Sequence, residues 1–389
     1  MIPSAKSIFD MGERVIITPM HETLPPPIWV ATESVLQSML TDLLRQPRVA
    51  VDTEANSLHA YREEVCLIQF SSPERDYLLD PFAFEHLDAL APLFADARIE
   101  KIFHAAEYDL LGLRRDYGFE FANLFDTMQA ARILGCEKVG LDAVLAERFG
   151  LKLNKRFQKA DWGARPLMLD QLEYARLDTR YLIPLRDLLK ADLEERQRWD
   201  LACEDFRRIC HVNGTSSETP EPWERFAGRR DLNLRQLTIL RELSALREEI
   251  AQRLDRPPFK VLMDDKLIAI ARAVPSTKQD LEKLGLSPRQ IGRWGVELLA
   301  AVTRGVDSPT VKRRQASRPD DAMLKRLDKL KQWRKKTGEQ LGVESDIILP
   351  RPYLLTLAER GGGEINSIME KSPWRLEHFG SQIQQVLGD

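Results

Sequence analysis

Two hydrophobic rhythms divide this chain. Up to about residue 210, short apolar runs alternate with stretches of helical spacing; beyond it only helical spacing remains. Trp29-Val30, Val49-Ala50-Val51, Val65-Cys66-Leu67-Ile68-Gln69-Phe70, Tyr77-Leu78-Leu79 and Lys101-Ile102-Phe103 read as strands. Between the first two, Val35, Leu36, Met39, Leu40, Leu43 and Leu44 recur at three- and four-residue spacing and predict an amphipathic helix. Leu141 to Leu145 and Leu169 to Leu189 add further helices. The alternation predicts an α/β class with a mixed sheet.

The segment 213–222 is rich in Gly, Ser, Thr and Pro and reads as a linker. After it an internal repeat emerges. Leu246-Arg247 matches Trp333-Arg334 at an offset of 87 residues, and the same offset pairs Leu254 with Leu341, Val261 with Ile348, Leu267 with Leu354, Ala271 with Ala358 and Leu281 with Ile368. A constant offset between core-type positions predicts two copies of one helical unit.

Composition bounds the reading. At 389 residues the chain suits two or three domains. Hydrophobic content of 43% with 30% charged residues is ordinary globular material. No apolar run approaches ~18 residues, so no membrane span is expected. Residues 1–26 lack a signal peptide's apolar core and read as an irregular leader. The formal charge of −3 excludes a uniformly basic protein, yet leaves room for a local basic track. Cys66, Cys136, Cys203 and Cys210 form no CxxC pair; Cys66 sits in an apolar run, and Cys203 and Cys210, seven apart, suit helix packing. A reduced, cytoplasmic setting follows.

The chemistry lies in scattered acids. Asp52 and Glu54 end an apolar strand, where residues i and i+2 share a face. Asp109 follows Lys101-Ile102-Phe103 and falls in the first turns of a helix. Tyr174 and Asp178, four apart in a helical stretch, share one helix face. Carboxylates gathered at ~5 Å with an effective dielectric of ~20 repel by roughly 3 kcal/mol per pair. Such a group takes up protons or binds hard cations. A lone Asp-x-Glu is usually surface charge, a lone Tyr-x-x-x-Asp often a helix hydrogen bond, and an Asp after a strand often a helix cap. All three in order, each beside a buried element, favour a carboxylate cage for two divalent metals.

On these motifs, residues from about Pro27 to Leu189 resemble the ribonuclease D group of 3′–5′ exonucleases. The motifs are Val51-Asp52-Thr53-Glu54, Phe103-His104-Ala105 through Asp109, and Tyr174-Ala175 through Asp178. Asp161-Trp162-Gly163-Ala164-Arg165-Pro166-Leu167 and Gln171-Leu172-Glu173-Tyr174 match as well. The resemblance implies a ribonuclease H-like fold and two divalent metal ions (Mg²⁺ or Mn²⁺) on Asp52, Glu54, Asp109 and Asp178. It also implies nucleoside 5′-monophosphates released from RNA 3′ ends. Tyr174 marks the tyrosine subtype, because Glu173 stands where the other subtype has histidine. With an unperturbed pKa near ~10, Tyr174 suits orienting the attacking water more than deprotonating it. Many relatives carry an aromatic residue after the first-motif Glu; here Ala55 and Asn56 follow. His104, Lys155, Lys159 and Asn56 are the candidate substrate contacts.

Both helical copies resemble the helicase-and-RNase-D C-terminal (HRDC) domain, the second diverged, with Gly361-Gly362-Gly363 replacing the stretch around Pro275. The expected order is therefore an exonuclease domain at 27–211, a linker at 212–222, a first HRDC domain at 223–305, a basic linker at 306–319 and a second HRDC-like domain at 320–389. Lys312-Arg313-Arg314, Arg318, Lys325-Arg326, Lys329, Lys331 and Arg334-Lys335-Lys336 form a basic stretch suited to phosphate contacts or to a solvated helix face. Precursor tRNA 3′ ends are the substrate the resemblance implies. A 3′–5′ DNA exonuclease and a non-catalytic nucleic-acid-binding scaffold are the alternatives, and a monomer is expected.

Overall fold

The computed structural model describes residues 25–212, 221–229, 231–312 and 320–388. Arg313, Arg314 and Arg318 of the basic stretch, most of the leader and most of the first linker lie outside the described residues. Six strands form one mixed sheet in the order β1-β4-β3-β2-β5-β6. They are β1 (Ile28–Val30), β2 (Arg48–Ala55), β3 (Val65–Ser71), β4 (Asp76–Leu79), β5 (Glu100–Phe103) and β6 (Leu124–Asp126). β1 and β4, β2 and β5, and β5 and β6 run parallel; β3 and β4 run antiparallel. Every residue of β3 is buried, which is why its apolar run shows no alternation.

Helices cover the sheet. α1 (Glu33–Leu43) buries Leu36, Met39, Leu40 and Leu43 of the stripe anticipated from spacing; Val35 is half-buried, and Leu44, at the C-cap, is exposed. Each such side chain contributes about 1.5–3 kcal/mol on burial. α2 (Ala91–Ala95), α3 (Glu107–Tyr117), α4 (Thr127–Leu134) and α5 (Leu141–Phe149) follow. The expected single helix from Leu169 to Leu189 is two: α6 (Leu169–Arg180) and α7 (Leu182–Glu195), broken at Tyr181. Tyr181 carries φ −99° and ψ 2°, outside the helical well, and Pro184 lies in the first turn of α7, where a missing N–H is tolerated. α8 (Trp199–Cys210) buries Cys210 and half-buries Cys203 on one side; none of the four cysteines forms a disulfide.

The chain divides into two compact units that do not follow its linear order. The second unit joins the loop 55–64 to the first helical copy: α9 (Leu234–Arg253), α10 (Pro258–Val261), α11 (Asp264–Ala273), α12 (Lys278–Lys283) and α13 (Pro288–Asp307). Within it, the Tyr61 N–H donates to Asp255 Oδ1 at 3.0 Å. The first unit joins the sheet region to the second helical copy: α14 (Asp321–Leu341), α15 (Ser345–Ile348), α16 (Arg351–Arg360), α17 (Ile365–Ile368) and α18 (Pro373–Leu387). Shifted by 87 residues, α10 and α11 coincide with α15 and α16 at both ends, and α9 with α14 at its start. Even a side-chain bond repeats. Arg247 Nη1 donates to Leu262 O at 3.1 Å, and Arg334 Nη1 donates to Leu349 O at 2.9 Å.

The second copy is docked on α4 and α8 through buried charge. Arg375 on α18 is fully buried and pairs with Glu204 and, at 3.0 Å, with Asp205, both on α8 and almost fully buried. Its remaining donors reach Ile347 O at 3.0 and 2.8 Å. Glu204 also accepts from Ser372 Oγ at 2.5 Å and Trp374 N–H at 2.9 Å, while Asp205 accepts from Gln129 Nε2 at 2.7 Å. Nearby, Arg132 on α4 pairs with Asp346 at 2.7 Å. At Gly135 (φ +79°) the backbones come so close that a Cβ would lie 2.1 Å from Gly342 O. Removing one partner of such a pair strands two buried carboxylates. Arg375→Ala should therefore lose about 3–5 kcal/mol of unfolding free energy in urea titrations. A loss within the ~0.5 kcal/mol of an ordinary surface substitution would contradict this role for the triad.

Candidate metal centre and active site

The sheet delivers two acids at the end of one strand. The β2–β5 ladder is registered from Arg48–Glu100 to Ala50–Ile102. Asp52 and Glu54 lie just beyond it, on one face of β2. α6 brings the third acid. Ligand oxygens of Asp52, Glu54 and Asp178 all lie within 4.8 Å of one another. Asp109, 6% exposed, enters from the first turn of α3 and turns Oδ1 toward Thr53. Tyr174 sits one helical turn before Asp178, half-buried. The three motifs therefore converge.

Each arm has its own support, most of it absent from the sequence reading. α6 is seated on β3 and β4 by Ala175, which is fully buried in a cluster with Leu67, Leu78 and Trp162. A polar network then locks it. Arg176 Nε lies 3.2 Å from Asp76 Oδ2, Ser71 Oγ donates to Asp76 at 2.7 Å, and Thr179 Oγ1 is 2.7 Å from Ser71 Oγ. The loop from Asp161 to Leu167 is pinned by Arg165, whose guanidinium meets both oxygens of Asp80 at 2.9 and 2.7 Å and donates to Cys66 O at 2.7 Å. The turn before Asp109 holds Ala105 at φ +66°. Asp126 secures it by accepting N–H bonds from Ala105 (3.1 Å), Ala106 (2.8 Å) and Gln129 (3.0 Å). Arg176 beside Tyr174 was the one legible signal, a charged side chain on the core face of its helix.

The candidate substrate contacts differ in what holds them. His104 Nδ1 lies 2.9 Å from Thr127 Oγ1, and burial pushes its imidazole pKa down, so the ring is neutral. Lys155 lies 2.7 Å from Asp142 Oδ2 and Lys159 is exposed on the same loop. That loop sends Leu153 and Phe157 into a cleft of about 210 Å³ shared with Tyr174, Leu177 and Asp178. Asn56 is buried, and its Oδ1 accepts from the Glu64 N–H at 2.8 Å, closing the loop 56–64. On α14, Arg326 and Arg334 bond carbonyls of their own unit, while Lys325, Lys329, Lys331, Lys335 and Lys336 are exposed.

Electrostatics make the cluster a candidate cation site. Burial, then Asp109, Asp178 and Glu54, raise Asp52 well above the carboxylate range. Burial, then Asp178 and Asp109, do the same to Glu54. Burial pushes Asp109 and Asp178 up to about 7, the Thr53 hydrogen bonds opposing it at Asp109. Tyr174 is raised by burial and then by Asp178, Glu54 and Asp52, so its hydroxyl stays protonated at neutral pH. An all-oxygen donor set with this much uncompensated charge fits hard divalent cations.

Comparisons with known proteins agree with this geometry. Residues 27–194 match a family model described as 3′–5′ exonuclease, and residues 236–302 match the HRDC domain. The chain is 30% identical over 359 residues to ribonuclease D of Nitrobacter hamburgensis, covering 90% of this chain and 92% of that protein. It is 31% identical over 294 residues to the exosome complex exonuclease RRP6 of Saccharomyces cerevisiae, but spans only 40% of that longer protein. The crystal structure of Escherichia coli RNase D, described as an exoribonuclease involved in structured RNA processing, has the same fold at a TM-score of 0.69 and 24% identity. It covers 93% of this chain and 99% of that one.

The raised carboxyls make a signed prediction. Unfolded, these acids titrate near ~4. Folded and metal-free, Asp109 and Asp178 hold protons up to about 7. Between those values the folded state binds more protons, so these groups remove stability as pH rises. In EDTA, Asp178→Asn should gain melting temperature over wild type progressively from pH 5 to 7.5. Mg²⁺ should stabilise wild type more at pH 7.5 than at pH 5. An Asp178→Asn advantage that stays flat or shrinks with pH would contradict the repulsion.

Proposed function

The chain belongs to the ribonuclease D family of 3′–5′ exonucleases, and from that premise we propose how its residues act and on what. It is a 3′–5′ exoribonuclease. The observation that carries the reading is the convergence of Asp52, Glu54 and Asp178 within 4.8 Å, with Asp109 and Tyr174 beside them. Asp52, Glu54, Asp109 and Asp178 would hold two divalent ions, Mg²⁺ or Mn²⁺. When bound, such a pair supplies Lewis-acid stabilisation of the charge that builds on the attacking and leaving oxygens of a phosphodiester.

The chain's own residues do the rest. The Tyr174 hydroxyl, held protonated by its acidic surroundings, donates or accepts a hydrogen bond that orients the attacking water. Its ring is fixed against Phe157 and Trp162, with centroids 5.9 and 6.1 Å away, so the hydroxyl is aimed before substrate arrives. Hydrolysis at the last phosphodiester releases a nucleoside 5′-monophosphate. Structured RNA 3′ ends, tRNA precursors among them, are the proposed substrates; the involvement of Escherichia coli RNase D in structured RNA processing supports the first. Residues 320–388 are taken as a second, diverged HRDC copy on the strength of the repeated helix pattern. Among the described residues no helix is long and apolar enough to cross a membrane. Four cysteines outside any disulfide support a reducing, cytoplasmic setting.

With Mg²⁺ and labelled single-stranded RNA, Asp178→Asn should slow 3′ trimming by at least about a hundredfold, the effect of losing one charge-stabilising element of a transition state. Tyr174→Phe should lower kcat and leave the half-saturating Mg²⁺ concentration unchanged. Near-normal trimming by Asp178→Asn would remove the acids from the mechanism, and DNA trimmed faster than matched RNA would reassign the substrate. Lys155 and Lys159 are the proposed strand contacts. The double variant Lys155→Ala with Lys159→Ala should weaken RNA binding and reduce the slope of log affinity against log salt by up to about two. An unchanged slope would discard them.

A further inference from the structure

Thr53 stands between two of the proposed metal ligands and has no part in the reading above. On a strand its side chain projects to the face opposite Asp52 and Glu54. It lies three residues beyond the last registered β2–β5 pair, so its N–H is not taken by that ladder. That N–H donates instead to Asp109 Oδ1 at 3.1 Å, and the Thr53 hydroxyl donates to the same oxygen at 2.5 Å. Two donors from one residue thus converge on one oxygen of an acid 56 positions later in the chain.

We propose that Thr53 is a positioning residue for the metal centre: it holds Asp109 by Oδ1 so that Oδ2 is the oxygen offered to a cation. The proposal rests on the reading of the four acids as metal ligands. Its physical content is preorganisation. Asp109 sits among carboxylates that repel it, so without the Thr53 clamp its side chain would rotate away from them. The cation would then have to recover both that repulsion and the lost rotamer freedom. Outer partners that orient a ligand typically control 10–100-fold of metal affinity. The backbone N–H survives every substitution except proline, so the hydroxyl is the part tested by valine and serine.

The experiment uses the full chain as wild type, Thr53→Val, Thr53→Ser and Asp109→Asn. Mn²⁺ binding is measured by calorimetry, half-saturating Mg²⁺ by RNA trimming, and metal-free melting temperature by circular dichroism. Thr53→Val should bind Mn²⁺ at least about tenfold more weakly and require correspondingly more Mg²⁺, with kcat at saturating Mg²⁺ less affected and the metal-free melting temperature kept. Thr53→Ser should restore both metal readouts. In an Asp109→Asn background, Thr53→Val should add no further loss. The proposal is overturned by Thr53→Val with wild-type Mn²⁺ affinity, by Thr53→Ser as impaired as Val, or by an undiminished loss in the Asp109→Asn background. Should Thr53→Val fail to fold, Thr53→Ala against Thr53→Ser carries the same comparison. Wild-type protein that binds no Mn²⁺ would refute the metal centre itself, an outcome separate from equal binding by wild type and variant.

Discussion

Like charges held together out of water push apart, and four carboxylates of this chain are held in that state. Asp52, Glu54 and Asp178 crowd within 4.8 Å, and Asp109 joins them from a separate helix. Their raised proton affinities are the direct expression of this strain. A fold that keeps them assembled must therefore grip each arm harder than the acids repel. The apolar seat of α6 provides part of that grip. Asp126 gives the turn before Asp109 two N–H bonds and caps α4 with a third, and Arg176 ties α6 to Asp76 on β4. These bonds are aimed at segments rather than at the reacting groups. That is how a rigid scaffold stores electrostatic energy for a ligand to release.

The same constraint sorts the polar residues around the centre. Those that buttress it are bonded to one another, as with Asp80 and Arg165 or Ser71 and Thr179. The loop carrying Lys155 and Lys159 is exposed instead, with Lys155 2.7 Å from Asp142 Oδ2. His104, with Nδ1 2.9 Å from Thr127 Oγ1, is tied to the start of α4 beside Asp126.

Much of this was legible from residue order alone, for identifiable reasons. Five of six strands showed as apolar runs because this sheet is buried and its strands need β-formers throughout. β6 did not, because three residues after Asn123 are too few to show any period. The break at Tyr181 escaped because apolar spacing continues through it; a backbone angle, not a pattern, ends α6. The candidate ligands stand out in the sequence because their chemistry is carried by their own types. Thr53, Asp126, Arg176 and Arg165 were not assigned roles because theirs depend on partners far along the chain, and sequence spacing carries no information on those.

The two helical copies show what docking does to a sequence. Positions that serve the internal core persist at the 87-residue offset: Leu267 and Leu354, Ala271 and Ala358, and the arginines 247 and 334 with their carbonyl partners. Positions facing α8 persist only in part. At the last helix the offset falls to 85, so Ser372-Pro373 opens α18 as Ser287-Pro288 opens α13, while Trp374 and Arg375, which meet the acids of α8, stand where the first copy has Arg289 and Gln290. The HRDC match stops within the first copy, at residue 302. A surface that must complement the Glu204–Asp205 pair is no longer free to keep the shared pattern. Divergence of the second copy then follows from burial of its outer face, while the selection on its inner face stays the same.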